Sequence, residues 1–117
     1  MVLARIIILL YFITFIISDD FVNVQILDIT SRTQMKKYMK SISKDLGVKC
    51  SYCHDMDDKS LDNPVKDIAR EMIILTRQIN SYLNDINKNE EEKSVVSVTC
   101  WTCHKGHPEV EEERPKD

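Results

Sequence analysis

The sequence predicts a small all-α domain with little or no sheet, built from two helix–loop–cysteine-pair units. Two amphipathic helical patterns, each followed by a pair of cysteines, support this prediction. With 117 residues, 43% of them hydrophobic and 30% charged, the chain has the length of one domain and an ordinary composition for a folded protein. Its two glycines and three prolines exclude collagen-like and low-complexity structures.

The first 18 residues have the pattern of an export signal. Arg5 precedes an apolar run over residues 6–17, and Ser18 follows it. The run is shorter than the roughly 20 residues that span a bilayer. The residues before Ser18 fit a cleavage site poorly, so an uncleaved anchor stays open. We expect residues 1–18 to be a signal peptide or N-terminal membrane anchor, and the protein to be periplasmic or exported.

The first helix is predicted to begin after Ser31, which can form a capping box with Gln34. Gly47 is expected to end this helix, because glycine tolerates the left-handed conformation that helix ends often need. Residues 21–30 alternate loosely and are expected to form an extended lead-in segment. The apolar positions of the helix recur at spacings of three and four: Met35, Tyr38, Met39, Ile42 and Leu46.

The second helix is longer and has the stronger pattern. Asn63 and Pro64 form a helix start, a capping residue followed by a proline that has no N–H to satisfy. A polar loop over residues 55–62 precedes it, and a charged loop is expected over residues 88–93. Residues 111–117 are expected to be a charged, disordered tail. The apolar positions again follow one face: Ile68, Ala69, Met72, Leu75, Ile79, Leu83 and Ile86.

All four cysteines fall in two C-x-x-C-H motifs. The residues of these motifs are Cys50, Cys53 and His54 in the first and Cys100, Cys103 and His104 in the second. C-x-x-C-H is the attachment signature of c-type haem. Its two thiols add to the two vinyl groups of one porphyrin, and the adjacent imidazole becomes an axial ligand of the iron. We therefore expect two haem c groups, and residues 19–110 to form a dihaem c-type cytochrome domain.

Disulfide bonds and a zinc site are the alternatives for the cysteines. An even number of cysteines in an exported protein is typical of a disulfide framework, and four thiolates suit tetrahedral zinc. Both alternatives leave unexplained why a histidine follows each pair when the chain has only three histidines. A thioredoxin-like redox pair would need a βαβ pattern, which is absent. The motifs therefore favour haem.

The residues alone leave the sixth ligand of each haem open. Met39 lies on the helix that leads into the first pair, and Met35 competes with it from one turn earlier. Met72 lies in the middle of the long helix before the second pair. Methionines at helical spacing also serve as core residues, and His107 is close in sequence to His104. The full set of candidates is Met35, Met39, Met56, Met72 and His107.

The charge distribution narrows the class of partner. The chain has 16 basic and 19 acidic residues, a formal charge of −3, which argues against nucleic-acid binding. We expect redox proteins as donor and acceptor. Acidic runs near residues 55–62 and 90–92 could steer a basic partner, although solvated loops explain them more simply.

The two motifs favour an electron carrier over an enzyme. The alternatives are a small haem peroxidase or ligand sensor with one open haem, or a zinc-stapled interaction module.

The residues around both motifs resemble the photosynthetic reaction-centre cytochrome c subunit family. The resemblance covers residues 24–108 and includes the whole segment 39–54, with Leu46, Gly47 and Val48 before the first pair. Residues 62–66, 68–72 and 79–80 also follow the family pattern. The second motif continues with lysine, glycine and, shortly after, proline, again as in the family.

The resemblance implies that Met39 is the sixth ligand of the first haem and Met72 that of the second. It also implies that each haem lies along its methionine-bearing helix, that a local twofold axis relates the two units, and that the function is electron transfer. The family's namesake subunit carries four haems on a longer chain, whereas this chain has two motifs and resembles one half of it. The resemblance therefore does not by itself predict docking on a reaction centre.

Overall fold

The computed structural model describes residues 21–89 and 97–112. Its helices are α1 (Arg32–Leu46), a short 3-10 helix (Cys50–Tyr52), α2 (Pro64–Asn89) and α3 (Cys100–His104). The described residues contain no β-strand, which confirms the all-α prediction. Within them, no helix combines the length and apolarity needed to cross a membrane. The predicted signal or anchor at 1–18, most of the 88–93 loop and most of the 111–117 tail lie outside the described residues.

Helix α1 begins and ends where the sequence predicts, but its start is not capped as expected. The Ser31 carbonyl accepts the Met35 N–H at 2.9 Å, whereas the Ser31 side chain makes no cap hydrogen bond. The predicted capping box is therefore wrong. Residues 32–34 are exposed, so their backbone is accessible to water. At the other end, Gly47 adopts φ 65°, and the Val48 N–H donates to the Ser43 carbonyl at 3.0 Å, as in a Schellman motif.

Helix α2 begins at the predicted Asn63–Pro64 start. The Asn63 Oδ1 accepts the Lys66 N–H at 2.9 Å, the bond that defines a side-chain cap. The helix continues to Asn89, so Lys88 and Asn89 are helical and not part of a loop as expected. Lys88 pairs with Asp85 at 3.0 Å, and a basic residue in the last turn also interacts favourably with the helix dipole. Both effects extend the helix beyond its last apolar position.

Helix α1 packs on α3, which brings the two cysteine units together. The Gly106 N–H, just after α3, donates to the Asp45 carbonyl near the end of α1 at 2.9 Å. The approach is so close that a Cβ placed on Gly47 would lie 2.1 Å from the Gly106 carbonyl oxygen. The contact between the two units is therefore backbone against backbone.

The described residues bury very little apolar surface among themselves. Ile73 is their one buried hydrophobic side chain, at 8% exposure. A folded domain normally has a larger core than this. Many of the other apolar side chains border a cavity beside the first motif or lie on an exposed face of α2.

Candidate haem-binding sites

The first C-x-x-C-H motif lies on a tight turn at the edge of a cavity. The Cys53 and His54 N–H groups both donate to the Cys50 carbonyl, at 3.4 and 3.0 Å. The cavity has a volume of about 600 Å³ and is bordered by this turn, the lead-in segment, α1 and the first turns of α2. Its lining includes Met39, Cys50, Cys53 and His54, the residues predicted to hold the first haem.

The cavity has the size and lining of a cofactor site. Its volume is within the range of about 300–1,000 Å³ that ligand pockets usually have. Apolar side chains such as Phe21, Ile42 and Ile73 contribute to its lining. Thiols, an imidazole and thioethers border the same space, which is the donor set of a c-type haem. Met35 also lines the cavity, so the competition between Met35 and Met39 is not decided by position alone.

Asn63 ties α2 to the first motif. While its Oδ1 caps α2, its Nδ2 donates to the Cys53 carbonyl at 2.8 Å. One side chain therefore fixes both the start of a helix and the second cysteine of the motif. The sequence indicated the cap, but not this second bond, because ten residues separate Asn63 from Cys53.

The second motif forms α3 and is tied to the middle of α2. Asn80 makes a pair of hydrogen bonds with the backbone of Val98: its Nδ2 donates to the carbonyl at 2.8 Å, and its Oδ1 accepts the N–H at 2.7 Å. Cys100 follows Val98 by two residues. These two hydrogen bonds place the start of the second motif beside α2. The sequence did not predict them, because Asn80 was noted only as part of the family pattern.

An exposed apolar stripe runs along α2 next to Asn80. Met72, at 43% exposure, lies in it and does not border the first cavity. Positions three and four residues apart share one helix face, and the stripe runs past Asn80 to Tyr82. Its members are Ile68, Met72, Leu75, Ile79 and Tyr82. A flat apolar group that covered this stripe would contact Met72.

Both motif histidines have a backbone carbonyl opposite the ring nitrogen Nδ1. His54 Nδ1 lies 3.4 Å from the Lys59 carbonyl oxygen, and His104 Nδ1 lies 3.0 Å from the His107 carbonyl oxygen. A proton on Nδ1 leaves Nε2 free to bind a metal, and such a bond also fixes the orientation of the ring. His107 therefore contacts the site through its backbone carbonyl. The residue type at position 107 gives no indication of this contact.

The four cysteines are free thiols. The pKa of Cys53 is raised, mainly by burial and to a smaller extent by the neighbouring Cys50. The pKa of Cys100 is also raised, mainly by burial and to a smaller extent by the nearby Asp45. Within residues 21–89 and 97–112, no three histidine, cysteine or acidic side chains converge as metal ligands, so the two pairs do not form the tetrahedral set of the zinc alternative.

The acidic loop over residues 55–62 is organised by its own carboxylates. Asp55 accepts the Asp57 and Asp58 N–H groups at 2.8 and 3.1 Å, and Asp58 accepts the N–H and hydroxyl of Ser60 at 2.9 and 2.6 Å. These bonds lower the pKa of both carboxyls. The acidic run therefore holds the loop that carries the Lys59 carbonyl, a role beyond the solvated loop that the sequence suggested.

Acid is expected to weaken this loop. A hydrogen bond from Arg70, at 2.6 Å, is the main cause of the lowered pKa of Asp62. A lowered pKa in the folded state stabilises the fold above the ordinary aspartate range and loses that effect as the pH falls below about 4. Asp62→Asn should therefore lower the melting temperature at pH 7 and flatten its decline between pH 5 and 3.

Asp57→Asn is the matched control, because Asp57 contributes its backbone N–H to the loop. Thermal unfolding followed by circular dichroism at a series of pH values gives both curves. Equal acid sensitivity of the Asp62→Asn variant and the unchanged protein would contradict the role of Asp62.

Two C-x-x-C-H turns on a helical scaffold, one of them at an apolar cavity with thioether side chains, define the class of c-type cytochromes. The chain belongs to the photosynthetic reaction centre cytochrome c subunit family, whose model matches residues 15–113. It is 37% identical to cytochrome c-554 of Chloroflexus aurantiacus over 74% of this chain and 21% of that protein.

Two further relatives carry the family's name. The chain is 32% identical to the photosynthetic reaction center cytochrome c subunit of Roseobacter denitrificans, over 76% of this chain and 25% of that one. It is also 32% identical to the subunit of Thermochromatium tepidum, over 78% and 22%. The chain thus spans about a quarter or less of the length of these relatives. No solved structure matches it significantly.

Proposed function

We propose that this protein is an exported dihaem c-type cytochrome that passes electrons between redox proteins. The observation that carries the proposal is the cavity where Met39 meets Cys50, Cys53 and His54. Membership of a cytochrome c family supports it independently. The scarcity of buried apolar side chains, with Ile73 alone among the described residues, also supports it, because bound porphyrins would supply the apolar core that the chain lacks.

The roles of the residues follow from their chemistry. Cys50 and Cys53 would hold one haem, and Cys100 and Cys103 the other, through thioether bonds. His54 and His104 would each bind an iron through Nε2. Met39 and Met72 would supply the opposite ligand. When bound, each haem provides an iron that alternates between the ferrous and ferric states, and a thioether ligand favours the reduced state.

The axial ligands decide between an electron carrier and an enzyme. With both positions filled by protein side chains, no substrate can reach the iron, and only electrons are exchanged. The half-exposed Met72 favours one specific alternative, a peroxidase or ligand sensor whose second haem is open. We propose the closed carrier, because the apolar stripe around Met72 offers a face that a haem would cover.

We further propose that residues 19–110 form the haem-binding domain and that residues 1–18 direct export or anchor the chain. Haem attachment to the chain and its recovery from the periplasmic or membrane fraction would support this. Recovery of haem-free protein from the cytoplasm alone, in cells with active attachment machinery, would contradict it.

The haem content is the direct test of the function. Expressed with the attachment machinery, the protein is expected to carry two covalent haems and to give a low-spin spectrum that carbon monoxide does not change. Cys100→Ala/Cys103→Ala should halve the covalent haem, and Cys50→Ala/Cys53→Ala should do the same from the other site. Denaturing gels stained for haem and quantitative absorbance of the reduced haem measure both.

Each other result has a definite meaning. Rapid carbon monoxide binding by one haem in the unchanged protein would favour the enzyme or sensor. Zinc without haem would favour the interaction module. A single haem, lost in only one of the two double variants, would contradict the dihaem proposal.

A further inference from the structure

Lys66 is the one charged side chain that is buried among the described residues, at 9% exposure. It lies in the first turn of α2 and borders the first cavity. Its Nζ donates to three consecutive backbone carbonyls, those of Lys59, Ser60 and Leu61, at 3.1, 3.0 and 2.9 Å. An ammonium group has three N–H donors, so these bonds use its whole capacity. Lys66 is therefore not available to bind a ligand directly.

The bonds of Lys66 connect it to His54. The Lys59 carbonyl, which accepts a hydrogen bond from Lys66 Nζ at 3.1 Å, also lies 3.4 Å from His54 Nδ1. A carbonyl oxygen has two lone pairs, so it can serve an ammonium and an imidazole together. The ammonium draws electron density from this oxygen and makes it a weaker acceptor for the His54 ring. His54 is the proposed iron ligand, and its basicity depends on that acceptor.

The charges around Lys66 are arranged with the cations inside. Lys66 and Arg70 have side chains only 11% and 13% exposed, and both border the cavity. Their carboxylate partners face the solvent: Asp62 is 46% exposed and Asp67 61%. Water screens the outer carboxylates more than the inner cations. The first cavity therefore has a positive wall, although the four groups have no net charge.

The second site has no counterpart of Lys66. His104 Nδ1 lies closer to its carbonyl, at 3.0 Å from that of His107. Because Lys66 is the one buried charged residue in the described part of the chain, no buried cation weakens this second acceptor. Met72 is also half-exposed, so the second haem would be more accessible to water than a haem in the first cavity.

We propose that Lys66 is a positioning residue that raises the reduction potential of the first haem above that of the second. The proposal rests on the proposed dihaem function. The inward cation disfavours the extra positive charge of the ferric state, and the weakened Lys59 carbonyl makes His54 a less basic ligand. In each transfer one electron arrives from the donor protein and one leaves to the acceptor, and no bond in the chain forms or breaks. At equilibrium the electron resides preferentially at the first haem.

Redox titration of the full chain tests this, with optical and electron-spin detection. Two one-electron waves are expected, and the wave that Met39→His lowers belongs to the first haem, because replacing methionine by histidine lowers the potential. Lys66→Met should lower the potential of the first haem by at least 59 mV, which is a tenfold change in its ratio of oxidised to reduced haem. The same ratio for the second haem should change less than threefold. In Lys66→Arg the ratio for the first haem should stay within threefold of that of the unchanged protein.

Lys59→Met is the control that separates this role from a purely structural one. It removes a charge from the same loop but keeps the Lys59 carbonyl, so the ratio of oxidised to reduced first haem should change less than threefold. In the reduced protein, the His54 Nδ1–H proton resonance should shift downfield in Lys66→Met, because the bond to the Lys59 carbonyl strengthens. An unmoved first wave, or an equal shift in Lys59→Met, would overturn the proposal.

Two further measurements cover a failure of folding or of ligation. If Lys66→Met does not retain haem, Lys66→Gln keeps two N–H donors without the charge and is held to the same limits. The unchanged protein is itself decisive, since a first haem below the second in potential would overturn the proposal. If Met39→His shifts neither wave, the proposal that Met39 is an iron ligand is contradicted, and the role of Lys66 is not. The Cys100→Ala/Cys103→Ala protein, which retains only the first haem, then assigns the waves.

Discussion

Replacing Met39 by alanine is expected to open the first haem, so that about half of the haem in the protein binds carbon monoxide. Met39 borders the same cavity as the first motif, and its thioether is the proposed sixth ligand. Alanine has no donor atom, so the iron would lose its ligand and become high-spin or exchangeable. The potential of this haem should also fall, because thioether ligation favours the reduced state. Absorption spectra of the reduced protein with and without carbon monoxide measure the change.

Met35→Ala is a closely matched control. Met35 lies one turn earlier on α1 and borders the same cavity, so its truncation removes the same number of atoms from the same space. Both methionines are partly buried, and a haem in the cavity would cover them. Each haem-loaded variant should therefore lose unfolding free energy within the range of about 2–5 kcal/mol that is usual for truncating a buried methionine. Only Met39→Ala should expose the iron. The reverse pattern would make Met35 the ligand.

The sequence was sufficient to predict the helical scaffold. The spacing of Met35, Met39 and Ile42, followed by Gly47, predicted α1 because a helix repeats every 3.6 residues and commonly ends at a left-handed glycine. The Asn63–Pro64 start of α2 was predicted for the same reason: each residue type suits one position of a helix. Ser31 shows where such reasoning fails, since a side chain that can form a cap need not form it when water can.

Candidate residues of the first site could be named from the sequence, whereas its supporting contacts could not. C-x-x-C-H carries its own geometry. The helix before it offered Met35 and Met39 as candidate ligands, and the family resemblance favoured Met39. The Lys59 and His107 carbonyls belong to the backbone, which every residue has, so no residue type marks them. Lys66 had no signal either, because a lysine in a helical first turn is ordinarily solvated. Its burial depends on how the 55–62 loop folds over it.

The same contrast explains why the two sites differ although their motifs match. The first motif is enclosed by the lead-in segment, α1 and α2. The second is held to α2 through Asn80, and the apolar stripe of α2 is exposed. Enclosure and charge, which the repeat in the sequence does not encode, set the potential of a haem. Two identical attachment motifs can therefore serve two electronically different sites.

Replacing Gly47 by alanine is expected to cause a large loss of stability for the addition of a single methyl group. Gly47 has φ +65°, and an added Cβ would lie 2.1 Å from the Gly106 carbonyl oxygen. The left-handed conformation costs an alanine about 1–2 kcal/mol, and overpacking against backbone adds about 1–3 kcal/mol. We therefore expect about 2–5 kcal/mol, a fall in melting temperature of at least about 10 °C for a domain of this size.

Gly106→Ala separates the two causes. Gly106 also has a positive φ, +88°, but its added Cβ would meet the Trp101 ring at 3.2 Å, and Trp101 is half-exposed and able to shift. This variant should therefore lose only the conformational part, about 1–2 kcal/mol. Thermal unfolding of both haem-loaded variants gives the comparison. Equal losses would mean that α1 and α3 do not meet as closely as the structure has them, because the clash at Gly47 is the only term that distinguishes the two substitutions. A larger loss for Gly47→Ala would instead establish that this backbone contact joins the two cysteine units.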